Sequence, residues 1–249
     1  MATVWIWTIS ATDPLTSGDS AADGYRSLLD WCRTERLRHF KIKVLGRDPQ
    51  QDADRIGAVH DTVRSVSTDP RLAVDPNEGY ASREALDELV AALCERHPAA
   101  AVSIAYIEQP VPRSVTLPPR ATGQRGLTIP VLMDEGSSSI GSLAELTRSG
   151  WDGLVVKAGK GQTYALLAHA YARFHRLFLT VQDLTAVDLA LQHSARLASV
   201  LRTDSLHLEY NSRQYAPHAN ARLSRSHPDL TAVRNGAVRL APLDAPGIY

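Results

Sequence analysis

Short apolar runs alternate with longer amphipathic segments along the chain. The first run, VWIWTI, covers residues 4–9, and the segment from about Ser20 to Leu37 after it has helical periodicity. Seven further runs, rich in β-branched residues, recur at helix-length intervals: 39–45, 71–75, 101–108, 128–134, 153–157, 176–182 and 205–210. The pattern predicts eight β-strands separated by helices.

The segment between the second and third strands shows how the helices are specified. Asp48 and Pro49 suit the N-cap and first position of a helix. The apolar residues after them recur at spacings of three and four and predict one buried face: Ile56, Val59, Val63 and Val66. In the next segment, Ser82 is predicted to cap a helix that Pro98 ends.

Eight strands with seven intervening helices favour parallel crossovers and an α/β fold, the (β/α)₈ TIM barrel. An open doubly wound sheet would also alternate, but usually with fewer strands and a glycine-rich phosphate turn, and no GxGxxG or Walker sequence is present. We predict a single domain over 1–249, with the barrel at about 3–212 and an irregular tail at about 213–249.

Composition narrows the classes of partner. Lys plus Arg and Asp plus Glu number 27 each, and the formal net charge is +0. This balance gives no reason to expect nucleic acid or an anionic membrane as a partner. The first residues lack the basic n-region of a signal peptide, and no stretch approaches membrane-spanning length, so we expect a cytoplasmic protein.

Charged residues interrupt the apolar strands at regular intervals. Lys43 lies within the second predicted strand, and Asp75, Glu108, Asp134 and Lys157 end the next four, at successive intervals of 32, 33, 26 and 23 residues. Each gap is about one strand–helix unit. These side chains are therefore expected together at the C-terminal mouth of the barrel, where barrel enzymes hold their active sites.

Three carboxylates from adjacent strands suit a hard divalent cation such as Mg²⁺, although each alone would more often be a helix cap or a surface charge. The two flanking lysines would be buried near other cations. Burial and neighbouring positive charges each lower the pKa of a lysine, which favours its action as a general base. Structural salt bridges to the carboxylates are the alternative role for Lys43 and Lys157.

Five segments resemble the motifs of the enolase superfamily, in the correct order: FKIKV, VDPNEGY, YIEQPVP, VLMDEG and VVKAGKG. Lysines on the second and sixth strands are similar to the muconate-lactonizing group of the mandelate racemase/muconate lactonizing enzyme proteins. The mandelate racemase arrangement needs a histidine on the seventh strand, where this chain has Gln182 and Asp183.

The resemblance implies an isomerase or lyase. It would remove the proton alpha to the carboxylate of a small substrate through an ene-diolate, giving racemization, epimerization, cycloisomerization or elimination; this superfamily is itself a standard example of that chemistry. Mg²⁺, with Mn²⁺ as a substitute, would be bound by Asp75, Glu108 and Asp134. Lys43 and Lys157 would act on opposite faces of the substrate.

The resemblance also implies supporting roles. Lys41, Gln182 and Asp183 are expected to contact the substrate. Asn77 and Glu135 are expected to hold the metal ligands in place. Lys160, His207 and Glu209 have no assigned role, and a homo-oligomer is expected because relatives commonly assemble.

The sequence departs from the family pattern at Gln162, where a second glycine is usual, and at Gly136, where serine is usual. A larger departure is that residue 4 already begins the first barrel strand, so the α+β domain that closes the site in relatives is not among these residues. The alternative function is therefore a catalytically silent barrel that acts as a binding or self-associating module.

Overall fold

The computed structural model describes residues 2–10, 13–16, 27–117, 128–182, 185–204, 207–216 and 218–239, with no side chains given for residues 2–8 and 207. All eight predicted strands are present, and a ninth follows: β1 (Ala2–Ile9), β2 (His39–Lys43), β3 (Arg71–Asp75), β4 (Ile104–Glu108), β5 (Val131–Met133), β6 (Gly153–Lys157), β7 (Phe178–Gln182), β8 (His207–Glu209) and β9 (Ala237–Arg239).

Helices separate most of these strands. They are α1 (Leu28–Glu35), α2 (Pro49–Arg64), α3 (Arg83–Arg96), α4 (Pro98–Ser103), α5 (Ile140–Leu146), α6 (Gln162–His175), α7 (Leu189–Val200), α8 (Ser212–Tyr215), α9 (Ala221–Ser226) and α10 (Pro228–Thr231). A short 3₁₀ helix, Ala158–Lys160, follows β6. In the described part of the chain, no helix is both long enough and apolar enough to span a bilayer.

The strands form a curled parallel sheet. From β2 to β7 they lie side by side in chain order, β1 extends the sheet beyond β2, and β8 pairs in parallel with β1. Within the described residues β7 and β8 are not hydrogen-bonded to each other. The α/β prediction is confirmed, and the sheet resembles an incomplete TIM barrel.

Side chains alternate between the two faces of this sheet, as the period of a β-strand requires. The outward set joins the helices in the main core and includes Phe40, Ile42, Leu72, Val74, Leu154, Val156, Leu179 and Val181. A separate inner cluster contains Ala73, Tyr106, Leu132 and Val155. Two residues after each member of this inner cluster, the next side chain that points inward is charged. The polar site therefore lies directly on this apolar layer.

Helix boundaries follow the sequence signals in α2 and α3. The Asp48 side chain accepts hydrogen bonds from the backbone N–H groups of Gln50 and Gln51, and Pro49 begins the helix, as predicted. Helix α3 ends at Arg96, two residues before Pro98, as predicted. Pro98 also begins the short helix α4, because proline has no N–H to lose at that position.

The predicted irregular tail contains regular structure. Helices α8, α9 and α10 lie within residues 212–231, and β9 pairs antiparallel with the beginning of β1. The helices are four to six residues long. Segments this short have too few turns for a periodic apolar face to be recognisable, and that prediction is wrong for residues 213–239.

Candidate metal centre

Strand register brings the predicted site residues together. Lys43 lies opposite Asp75 in the β2–β3 pair, and Lys157 lies opposite Gln182 in the β6–β7 pair. The carboxylates of Asp75, Glu108 and Asp134 are buried, whereas the Lys43 side chain keeps 29% of its surface exposed. The polar group therefore sits at the C-terminal ends of the strands and opens to solvent beside Lys43.

Lys41 lies at the centre of this group. Its buried Nζ lies 2.9 Å from Asp75 Oδ2 and 2.9 Å from Glu108 Oε1. It also donates to Gln182 Oε1 at 2.7 Å and lies 3.4 Å from Glu209 Oε2. One ammonium group thus compensates the charge of three carboxylates that approach from different strands.

Asp75 is also bound by Lys43 and by the turn between β3 and α3. Its carboxylate accepts from Lys43 Nζ, and its Oδ1 accepts from the backbone N–H of Asn77 at 2.9 Å. Asn77 has a left-handed backbone (φ 47°), which asparagine tolerates better than most residues. Its side chain bridges Lys43 Nζ at 2.8 Å and Glu135 Oε1 at 3.2 Å.

Asp134 is bound by two lysines from one short segment. Lys157 Nζ donates to Oδ2, and Lys160 Nζ donates to Oδ1 at 2.7 Å and to the backbone oxygen at 2.6 Å. The 3₁₀ turn after β6 directs Lys160 back toward β5. Lys160, which had no assigned role, is thus a direct partner of this carboxylate.

Two glutamines complete the arrangement. Gln182 Nε2 donates to Glu108 Oε2 at 2.7 Å and to the Tyr106 hydroxyl at 2.8 Å. Gln109 is buried, and its Oε1 accepts from the backbone N–H groups of Asp134 at 2.9 Å and Gly136 at 3.1 Å. Gln109 therefore fixes the backbone that carries Asp134.

Charge and burial act in opposite directions on the carboxylates. Burial raises the pKa of Asp75, but the nearby ammonium groups of Lys41 and Lys43 outweigh it and hold that pKa below its ordinary value. Asp134 behaves alike, with its pKa lowered by Lys157 and Lys160 against burial. For Glu108, burial and the neighbouring acids outweigh Lys41, and the pKa rises to about 8.

The lysine pKa values depart from expectation. Burial does lower the pKa of Lys157, but Glu108 and Asp134 raise it more, so it lies above its ordinary value. The same balance raises the pKa of Lys41. Lys160 shows the reverse, because burial lowers its pKa more than Asp134 raises it. The lowered pKa predicted for Lys157 is therefore not found while the carboxylates keep their full negative charge.

The sequence matches the family Enolase C-terminal domain-like over residues 25–248. This chain belongs to that family. The resemblance seen in the sequence motifs is thereby confirmed.

The curated relatives of this enolase-type chain include cycloisomerases. It is 37% identical over 136 residues to the chloromuconate cycloisomerase of Pseudomonas sp. (strain P51), a match that covers 54% of this chain and 33% of that protein. A chloromuconate cycloisomerase of Delftia acidovorans matches at 36% identity over the same length. The matched region is thus about a third of these relatives' length.

Solved structures support the fold. The mandelate racemase/muconate lactonizing protein from Herpetosiphon aurantiacus superposes with a TM-score of 0.69 at 23% identity, covering 97% of this chain and 62% of that one. The dipeptide epimerase from Cytophaga hutchinsonii, complexed with Mg and the dipeptide D-Ala-L-Val, superposes with a TM-score of 0.65 at 22% identity, covering 84% and 53%.

Most residues predicted for the site meet in two neighbouring groups, one around Lys41 and the other around Asp134, and only Asp183 lies outside the described residues. Sequence reasoning missed three contributors, Lys160, Gln109 and Glu209. Glu209 carried a usable signal, because it falls at the end of β8 as the other carboxylates fall at the ends of theirs. Gln109 and Lys160 follow their strands in turns, and the strand pattern does not show where turn residues point.

The donor set suits a divalent cation in its chemistry. Buried carboxylate oxygens on three adjacent strands are the ligands that Mg²⁺ prefers. However, no group of three or more Asp, Glu, His or Cys side chains within the described residues is arranged to hold a metal ion. The Lys41 ammonium group lies 2.9 Å from both Asp75 and Glu108.

Proposed function

We propose that this chain binds Mg²⁺ through Asp75, Glu108 and Asp134 and removes the proton alpha to the carboxylate of a small substrate. The observation that carries this proposal is the contact network itself. Each of the three buried carboxylates is paired with at least one lysine. The lysines that contact Asp75 and Glu108 lie on β2, and those that contact Asp134 lie on β6 and in the turn after it. We also infer that the complete chain forms a closed (β/α)₈ barrel.

The burial of so much charge favours a functional role. Removing carboxylates and ammonium groups from water costs several kcal/mol per ion, and well-packed apolar side chains would often serve stability as well or better. The apolar layer of Ala73, Tyr106, Leu132 and Val155 lies at the adjacent positions of the same strands. A polar cluster above such a layer is typical of a catalytic mouth rather than of a core.

Formal charge supports the proposed chemistry. Four carboxylates, including Glu209, face four lysines, so the charges in the mouth balance. Bound Mg²⁺ would supply positive charge that stabilises the substrate carboxylate as it becomes an ene-diolate. The positive charge of the metal would compensate for the negative charge of the substrate and for one lysine that has lost its proton. A neutral lysine amine is what a general base requires.

Lys43 and Lys157 are the two candidate bases. They lie on β2 and β6, on opposite sides of the three carboxylates. A neutral amine on one side would accept the alpha proton, while the C–H electron pair moves into the carboxylate as an ene-diolate. An ammonium group on the other side would return a proton. We propose that Lys41 and Gln182 orient the substrate.

The proposed substrate class is taken from proteins to which this chain is similar, which include cycloisomerases and dipeptide epimerases. We propose a small acid such as a dipeptide, an acylated amino acid or an unsaturated diacid. The test incubates the chain with Mg²⁺ in D₂O and a panel of these acids, with alpha-proton exchange followed by NMR. Exchange that stops on addition of EDTA supports the proposal. No exchange with any acid, together with no rise in Tm on adding Mg²⁺, contradicts it.

A second candidate, a non-catalytic self-associating barrel, is favoured by one surface. The outer face of α6 exposes Leu166, Leu167 and Phe174, with 83% of the Phe174 surface accessible. Exposed apolar side chains that lie together often mark an interface. Sedimentation of wild-type chain and Phe174→Asp tests this idea. A concentration-dependent dimer that dissociates in the variant supports self-association, and two monomers refute it.

A further inference from the structure

A second charged feature lies at the opposite end of the sheet from the candidate metal centre. The turns that precede β2 and β3 enclose a cleft of about 460 Å³. Its wall includes Arg33, Arg36 and Arg38, together with Ser67 and Thr68 from the turn between α2 and β3. Lys43 is at the far end of β2, five residues from Arg38, or about 16 Å at the rise of an extended strand.

The arginines of this cleft have few protein partners. In the described part of the chain, the side chains of Arg33 and Arg38 make no hydrogen bond or ion pair with another residue, and the Arg36 side chain makes only a 3.4 Å contact with Asn235 Oδ1. Neighbouring arginines are engaged. Arg64 donates to the backbone oxygen of Thr68, and Arg213 pairs with Glu35 at 2.8 Å.

This contrast separates two roles for arginine near a helix end. An arginine that stabilises a helix C-terminus bonds its free carbonyl groups, as Arg64 does for the turn after α2. Arg33 and Arg38 make no such bonds among the described residues, and no acidic residue lines the cleft with them. Glu35, the acidic residue that follows Arg33 in α1, forms its ion pair with Arg213. Among the described residues, the cleft therefore carries more positive than negative charge, on a chain of zero net charge.

We propose that this cleft binds the phosphate groups of a small, multiply charged compound, such as pyrophosphate or the phosphate chain of a nucleotide. Guanidinium groups bind phosphate oxygens through paired, charge-assisted hydrogen bonds, and hydroxyl groups such as those of Ser67 and Thr68 add donors. The cleft volume falls in the range of small-molecule sites. Three arginines, one at the end of α1 and two in the turn before β2, suit several negative charges rather than one.

Calorimetric titration of the intact chain tests this site, with pyrophosphate in one arm and ATP in the other at fixed ionic strength. A double variant, Arg33→Gln with Arg38→Gln, removes two cleft charges and keeps polar side chains of intermediate length. The matched control is Arg148→Gln with Arg176→Gln. These exposed arginines follow α5 and α6 before β6 and β7, on the same side of the barrel but outside the cleft.

Wild type and control are expected to bind one equivalent of pyrophosphate with similar affinity, and the cleft variant is expected to bind at least about tenfold more weakly. Tighter binding of ATP would assign the site to a nucleotide, and equal binding would assign it to the phosphate groups alone. The absence of binding in wild type would overturn the proposal. Equal weakening in the two double variants would also overturn it, because general attraction between charges would then explain the binding.

Discussion

Lys41 and Gln182 lie five strands apart along the sheet, on β2 and β7, yet Lys41 Nζ donates to Gln182 Oε1 at 2.7 Å. A flat sheet would separate these side chains by more than 20 Å, at about 4.8 Å per strand. The contact therefore requires the sheet to curl until its interior faces meet. The polar network and the curvature depend on each other, because the same residues that form the site join strands remote in the sheet.

The first prediction concerns the stability of this network. Lys41→Met keeps the side-chain volume but leaves Asp75 and Glu108 buried without their shared cation, so the free energy of unfolding should fall by about 3–5 kcal/mol. Urea unfolding measures the change. Combining Lys41→Met with Glu108→Gln should cost less than the two single changes added together. Full additivity would show that Lys41 does not compensate these charges.

A second prediction addresses Gln109. Gln109→Met removes the acceptor of the Asp134 and Gly136 backbone N–H groups and should lower the free energy of unfolding by about 1–3 kcal/mol. The same change at the exposed Gln51 serves as the control and should stay within about 0.5 kcal/mol of wild type. Equal urea midpoints for the two variants would mean that Gln109 does not hold the Asp134 backbone.

The third prediction compares two glycines. A Cβ on Gly153 would lie 2.0 Å from the backbone oxygen of Phe178, which β-sheet pairing holds in place, so Gly153→Ala should lower Tm strongly. A Cβ on Gly141 in α5 would meet only Ser139 Oγ at 3.7 Å. Gly141→Ala should leave Tm unchanged or raise it, since alanine favours a helix by up to about 1 kcal/mol. Thermal unfolding of both variants decides, and equal Tm values would contradict this packing.

The fourth prediction is a pH dependence caused by His39. Burial, with Arg71 and Arg38 nearby, lowers the pKa of His39 to about 4. The unfolded chain binds the proton at a pKa near 6.5, so between these values it takes up more protons than the folded chain and stability falls as pH falls. His39→Gln should remove about 1–3 kcal/mol of this loss between pH 7 and pH 4, measured by urea unfolding. An unchanged pH slope in the variant would show that His39 titrates normally.

The strand bounds and the location of the charged residues could be predicted from the sequence, because both depend on the regular geometry of the strands. The β6 prediction matched its observed bounds, and the regular spacing of the charged residues predicted that Lys43 and Asp75 would lie at the same end of the sheet. Periodicity fixes which face of a strand a side chain occupies, and parallel strands bring equivalent ends together.

Other features depended on turns and on competition between charges. Lys160 reaches Asp134 because a 3₁₀ turn reverses the chain, and strand periodicity carries no information on that turn. The direction of the Lys157 pKa depends on the distances to Glu108 and Asp134, which compete with burial.

The central claim is that Lys43 and Lys157 act on opposite faces of a carboxylate substrate. Its most direct test follows deuterium incorporation into both enantiomers, or both epimers, of the acid in the panel that exchanges fastest. With Mg²⁺ present, Lys43→Gln should slow exchange of one stereoisomer by about 10²-fold or more and spare the other, and Lys157→Gln should do the reverse. Exchange of both stereoisomers at wild-type rates in either variant, or no exchange by the wild type, would contradict the account.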